Sequence, residues 1–198
     1  MTVICLVRHG ETDWNNQRKI QGRKDIPLNE MGSLQAKDCQ NYLSKFDWNV
    51  IVTSPLQRAK QTAEIINEEL QLPIVVMEEF IERDYGEIEG LTIEERLKYF
   101  PNFECPSQEK FEVVRERVMS GINRLHELYK NQNIIVVAHG GVIKVLLNSL
   151  FNEEVISRKN GLFNGGMSHI IYDDGWYVKD YNRVSHLSTL NTIKDKKF

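Results

Sequence analysis

The sequence predicts an α/β fold, a three-layer α/β/α sandwich with a mostly parallel central sheet. Three observations predict it. Short apolar runs rich in β-branched residues recur at 1–7, 49–54 and 133–138. Amphipathic stretches of helical period lie between them. Each apolar run also stops abruptly at polar residues with glycine or proline. Strands that alternate with helices pair in parallel through crossovers that cover both sheet faces.

Taken in order, Met1–Val7 reads as a buried strand that ends at Arg8-His9-Gly10. Asn49–Ser54 repeats this design. Pro55 follows, so Ser54 reads as an N-cap with proline in the first helical position of a helix reaching about Leu70. Cys39, Tyr42, Leu43 and Phe46 share a helical face. Phe111, Val114, Val118, Ile122, Leu125 and Tyr129 step by three or four and mark a long core-facing helix. Asn133–Ala138 is a third buried strand, ending at His139-Gly140-Gly141, with a helix expected over about 142–150. Ser168–Asp173 and Trp176–Tyr181 read as a hairpin across Asp173-Asp174-Gly175. Residues 78–107 are less periodic and are expected to form an excursion that caps a single domain spanning 1–198. The tail, Lys194–Phe198, is expected to fray.

Composition narrows the function. The net charge of −3 gives no support for a nucleic-acid binder, which carries a strong basic excess. An anionic small molecule remains open, because a basic pocket can sit on an acidic protein. The three cysteines, Cys5, Cys39 and Cys105, form neither a disulfide framework nor a CxxC pair. A reducing compartment is therefore expected. With no signal peptide or membrane-length apolar run, the expected location is the cytoplasm.

Candidate chemistry lies where the strands stop. Ligands in open α/β sheets bind beyond the carboxyl ends of the strands. If the three strands are parallel neighbours, Arg8, His9, Arg58 and His139 meet in one crevice. Arginine offers a planar fork of donors that matches phosphate oxygens. A neutral imidazole can act as a nucleophile, provided its other nitrogen holds a proton against an acceptor. Taken singly, His139 reads more readily as a structural hydrogen-bonder and Arg58 as a solvated helix residue. Two histidines with Glu82 could also bind a metal. The chain lacks any HxH or HExxH pair, however, and nearby arginines would repel a cation. No metal and no cofactor are expected.

These residues carry a resemblance. Val7-Arg8-His9-Gly10-Glu11-Thr12 with Trp14-Asn15 resembles the signature of the histidine phosphatase superfamily, also called phosphoglycerate-mutase-like. Gln21-Gly22 and Asp25–Gly32 resemble its following loop, and Ser54–Ala63 its second arginine motif. Glu82–Gly90 is similar to its proton-donor segment, and Ala138-His139-Gly140-Gly141 to its second histidine motif. The blocks come in the family's order over residues 3 to about 147. The resemblance implies a phosphoglycerate-mutase-like fold, with His9 as the phosphorylated nucleophile. Arg8, Arg58 and His139 would complete the phosphate pocket, and Glu82 would be the acid and base. Asn15, Gln21, Gly22, Thr12 and Tyr85 would touch phosphate or substrate, with Glu11 a weaker candidate. His126 and His169 read as structural, and His186 stays undecided.

Such a pocket serves either a phosphatase or a mutase. The resemblance favours the phosphatase branch. The segment after Glu89 has no adjacent arginine pair, and Asn164-Gly165-Gly166-Met167-Ser168 looks phosphatase-like. Arg115 and Arg117 read as solvent-facing residues of the long helix. A cofactor-dependent phosphoglycerate mutase is the alternative, and a non-catalytic phospholigand sensor would have lost one of these groups. The expected partner is a small phosphorylated substrate, with no nucleic acid and no membrane; a homodimer stays open. The basic loop Arg18, Lys19, Arg23 and Lys24 could favour acidic substrates or simply be solvated.

Overall fold

The computed structural model describes residues 1–101, 105–151 and 161–188. The expected frayed tail Lys194–Phe198 lies outside the described residues, as do 102–104 of the expected excursion. In chain order the elements are β1 (Thr2–Arg8), α1 (Asp13–Asn16), α2 (Glu30–Leu43), β2 (Val50–Thr53), α3 (Gln57–Leu70) and β3 (Ile74–Val76). Two single 3-10 turns follow, Glu78–Phe80 and Gly86–Ile88. Then come α4 (Ile93–Tyr99), α5 (Phe111–Leu128), β4 (Asn133–Ala138), α6 (Gly140–Phe151), β5 (Met167–Tyr172) and β6 (Trp176–Arg183).

The six strands form one sheet in the order β3-β2-β4-β1-β5-β6. The first four run parallel; β5 is antiparallel to β1, and β6 to β5. The central strands β1, β2 and β4 are almost wholly apolar because both of their faces are covered, whereas the edge strand β6 alternates half-buried and exposed residues. Ile4, Leu6, Ile134 and Val136 face one core, filled by Val114, Val118, Ile122 and Leu125 of α5 and by Val142, Leu146 and Leu147 of α6. Cys5, Val7, Ile135 and Val137 point the other way, against Cys39 and Leu43 of α2 and Ala59, Ala63 and Ile66 of α3. This period-two alternation between two helical layers makes the three-layer sandwich. Each fully buried aliphatic side chain contributes about 1.5–3 kcal/mol.

Several local expectations change. The third helix starts at Gln57, not Pro55, and its N-cap position is Leu56 with no side-chain cap. The Ser54 hydroxyl accepts the Leu56 N–H at 3.3 Å, one residue short of the helix, and the Gln57 N–H is capped by the Asp25 carboxylate at 2.7 Å. Helix α2 ends at Leu43, so Phe46 leaves its apolar face and stands 51% exposed. Phe111, at the first turn of α5, is also exposed. Helix α6 begins two residues early, at Gly140. The short edge strand β3 had no sequence signal strong enough to separate it from the loop after Leu70. The hairpin forms as expected, with Asp174 in the left-handed region at φ 57°.

Candidate active site

The register brings the parallel strand ends level: Arg8 pairs with Ala138, and Thr53 with Val137. His9, Ser54 and His139 therefore emerge side by side. Because β5 runs against β1, the segment that leads into it reaches the same edge. The Arg8 N–H donates to the Gly166 carbonyl at 3.1 Å, and the Gly165 N–H to the Arg8 carbonyl at 3.0 Å.

The His9 and His139 rings lie 5.1 Å apart, tilted by 57°. Nδ1 of His9 is 2.7 Å from the Gly10 carbonyl. A carbonyl only accepts, so Nδ1 carries the proton and Nε2 keeps its lone pair. Nε2 of His139 is 2.6 Å from the Ser54 hydroxyl, while Nδ1 of His139 is buried without a partner. Arg58, 1% exposed, is anchored by Nη1 to the Lys24 carbonyl at 2.8 Å and by Nη2 to the Gly22 carbonyl at 2.7 Å. Arg8 donates through Nη1 to the Leu162 carbonyl. Nε of Arg8, Nε of Arg58 and Oε1 of Gln21 are likewise buried and unpartnered. Buried N–H groups without acceptors are costly, and they converge here on residues that surround His9.

Glu82 sits across the β4–α6 junction. Its Oε1 accepts the Arg83 N–H at 2.9 Å and the Val142 N–H at 3.1 Å; Oε2 accepts the Gly141 N–H at 3.1 Å. The carboxylate thus caps the positive end of α6, where an anion is favoured. A Cβ on Gly141 would stand 2.6 Å from Oε1 of Glu82 and 2.9 Å from the Tyr85 hydroxyl, so these groups crowd one spot. Thr12 caps α1 by accepting the Asn15 N–H. Oδ1 of Asn15 accepts from the Thr12 N–H, the Thr12 hydroxyl and Nδ2 of Asn164, at 3.1–3.2 Å. These three donors fix the amide so that its NH2 points away from them. Asn164 also donates to the His9 and Gly10 carbonyls, at 3.0 and 3.3 Å.

Burial pushes both imidazoles well below the ordinary histidine range, and the positive charges of Arg58 and Arg8 push the same way. Both rings are therefore neutral near pH 7. Burial also pulls Arg58 down to about 10, with Glu82 and Asp25 opposing, so it stays cationic. Burial and the neighbouring Glu82 charge push the Tyr85 phenol up.

The structure brings Arg8, His9, Arg58, His139, Glu82 and Tyr85 together, with Asn15 and Thr12 joined to His9 through Asn164. Gly22 enters through its carbonyl, and Gln21 as its buried neighbour. Glu11 turns aside to Asn29, at 3.0 Å. It lines a separate cavity of about 580 Å³ with Asp13 and Glu30, whose carboxylates would repel a phosphate. His126 bonds Thr2 and stacks on Tyr172, and His169 pairs with Asp180. His186 reaches the Gly165 carbonyl at 2.9 Å. Of the basic loop, Arg23 pairs with Asp84 and Glu109. Arg117 is no solvent-facing residue: it binds Glu109 and the carbonyls of 79, 81 and 82. Sequence reasoning missed the parts played by Ser54, Asn164 and Arg117. For Ser54 a signal existed, since it ends a strand parallel to those bearing the histidines. Among the described residues, no group of three or more His, Cys, Asp or Glu could hold a metal ion, and no helix is long and apolar enough to cross a membrane.

Comparison with known proteins agrees with this geometry. The chain is 48% identical over 189 residues to the uncharacterized phosphatase PhoE of Bacillus subtilis (strain 168), covering 95% of this chain and 98% of that protein. It is 31% identical to a metal-independent phosphoserine phosphatase of Arabidopsis thaliana, over 98% of this chain and 87% of the relative. Among solved structures, Bacillus stearothermophilus YhfR superposes with a TM-score of 0.89 at 27% identity, over 95% of this chain and all of that one. The sequence profile of the histidine phosphatase superfamily (branch 1) matches residues 4–184, and the chain belongs to that family.

Proposed function

We propose that this protein is a phosphomonoesterase that hydrolyses a small phosphorylated metabolite through a phosphohistidine at His9. One observation carries the reading: unpartnered donors on Arg8, Arg58 and His139 surround a neutral imidazole whose Nδ1 proton is tied to a carbonyl. In the first step Nε2 of His9 attacks phosphorus as the ester P–O bond breaks, and Glu82 gives its proton to the leaving oxygen. In the second, Glu82 takes a proton from water as the new P–O bond forms and the N–P bond breaks. Arg8, Arg58 and His139 hold the equatorial oxygens throughout. Asn15 and Gln21 touch phosphate or substrate, with Thr12, Gly22 and Tyr85 shaping the wall. Of the expected cap at 78–107, the described residues 78–101 and 105–107 serve as a cover for this site within one domain. The Arabidopsis relative's name supports a substrate such as phosphoserine.

The test is a generic aryl phosphate with wild-type and His9→Ala protein. The reading expects turnover and an acid-labile phosphoenzyme in the first and neither in the second. Undiminished label in the variant would refute the nucleophile. Rapid interconversion of phosphoglycerates that depends on added 2,3-bisphosphoglycerate would instead favour a mutase.

A further inference from the structure

We propose that Arg117 and Glu109 are positioning residues that set the reach of Glu82 toward the leaving oxygen; this rests on the reading of Glu82 as acid and base. Arg117 lies nearly two turns inside α5, on a helix locked into the core by Val114, Val118 and Ile122. Its guanidinium spends its donors on the segment that carries Glu82. Nη1 donates to the Glu79 and Ile81 carbonyls at 2.8 and 2.7 Å, and Nη2 to the Glu82 carbonyl at 3.3 Å. Nε and Nη2 form a fork on Glu109 at 2.9 and 3.0 Å, with side chains only 17% and 11% exposed. Glu109 in turn accepts the Asp84 N–H at 3.2 Å and pairs with Arg23 at 3.3 Å. The backbone is thus pinned on both sides of residue 82. Glycine at position 121 eases this approach; a Cβ there would stand 3.0 Å from Cβ of Glu79 and from the Phe80 ring.

Nothing in this pair reaches the phosphate pocket directly. It acts through geometry: α5 holds the backbone of Glu82, while α6 holds its carboxylate through the Gly141 and Val142 N–H groups. Releasing the backbone lets the carboxylate follow α6 and recede from the leaving group. A misplacement of roughly 1 Å can cost about a hundredfold in rate.

The experiment compares kcat and KM for an alkyl ester, phosphoserine, and an aryl ester, 4-nitrophenyl phosphate. It uses wild-type protein, Arg117→Met, Arg117→Lys, Glu109→Gln, Glu82→Gln and the double variant Glu82→Gln/Arg117→Met. Arg117→Met is expected to lower kcat for the alkyl ester by about ten- to a hundredfold with KM little changed, and for the aryl ester by far less. Arg117→Lys keeps the charge but not the fork, so it should not rescue. The double variant should be no slower than Glu82→Gln alone, because both changes remove one function. Exposed Arg115, changed to Met, should leave both esters unaffected. Glu109→Gln gives the same readout if Arg117→Met does not fold. Equal losses on both esters, a change confined to KM, or further slowing of Glu82→Gln would overturn the proposal. Equal losses in Glu82→Gln itself would instead refute the acid reading.

Discussion

The Ser54 hydroxyl stands 2.6 Å from Nε2 of His139 and also accepts the Leu56 N–H at 3.3 Å. An oxyanion in the pocket only accepts, so the arrangement that serves it has the Ser54 hydroxyl donating to Nε2. His139 is then protonated on Nδ1, the nitrogen that is buried without a partner. A side chain 85 positions away thus supports the tautomer that turns an N–H toward the anion. Ser54→Ala should leave Nε2 unsatisfied and cost about 1–3 kcal/mol of stability. It should also weaken binding of orthophosphate or vanadate, measured by calorimetry. Unchanged affinity would argue that the tautomer is set elsewhere.

Arg58→Lys tests the same pocket from its opposite wall. The guanidinium spends Nη1 and Nη2 on the Lys24 and Gly22 carbonyls and keeps Nε for the anion. An ammonium cannot span all three directions. Losing one charge-assisted hydrogen bond is worth about 1.5–3 kcal/mol, so kcat/KM should fall roughly ten- to a hundredfold. Steady-state kinetics would show it.

Gly141→Ala sets two effects against each other. Alanine is favoured over glycine in a helix interior by about 1 kcal/mol. Its Cβ would meet Oε1 of Glu82 at 2.6 Å, which forces the carboxylate to move. Overpacking of this kind costs about 1–3 kcal/mol and displaces a reacting group, so kcat should drop with little gain in melting temperature. Gly140→Ala, 3.2 Å from Nε of Arg8, should be milder.

The buried histidines predict a pH dependence of stability. Unfolded imidazoles take up protons as pH falls through about 6.5. His9, His139 and the partly buried His186 are all held below that value, so the folded state takes up fewer. Stability is therefore complete above about 6.5 and declines below it until the folded groups titrate. Each histidine contributes up to about 1.4 kcal/mol per pH unit in that window. Carboxylates held low, such as Glu109, act with the same sign below about 4.5. Urea midpoints of the ligand-free protein between pH 7.5 and 5.5 would report it, with a shallower slope in His139→Gln. A flat profile would contradict the assignment.

Much of this was legible in the sequence because fully buried parallel strands leave an unmistakable mark. Ile4, Ile51 and Ile135 sit in runs whose polar residues stand only at the ends, and each run halts beside a chemically distinctive group. The local signals that misled were those that tertiary contacts outbid. Ser54 before Pro55 has the chemistry of a helix cap and does accept the Leu56 N–H, but the helix starts later, at Gln57, where Asp25 supplies the cap. Arg117 carries no periodic signal for its partners, since three of its acceptors are backbone carbonyls that any residue would supply and the fourth, Glu109, lies before α5 begins. The sequence places Gly141 in the second histidine motif, just ahead of the expected helix, and the crowding of Glu82 and Tyr85 against it is visible only in the fold.

The reversed direction of β5 has a wider consequence. In a wholly parallel sheet, a rim above the strand ends can be furnished only by chain that leaves the strands. Here Asn164, Gly165 and Gly166 arrive from the opposite sense and still touch Arg8 and His9. The mouth is thus built from incoming as well as outgoing chain. Insertions just ahead of β5 could remodel what the enzyme accepts while leaving every strand pairing, and the cluster of Arg8, His9, Arg58 and His139, intact.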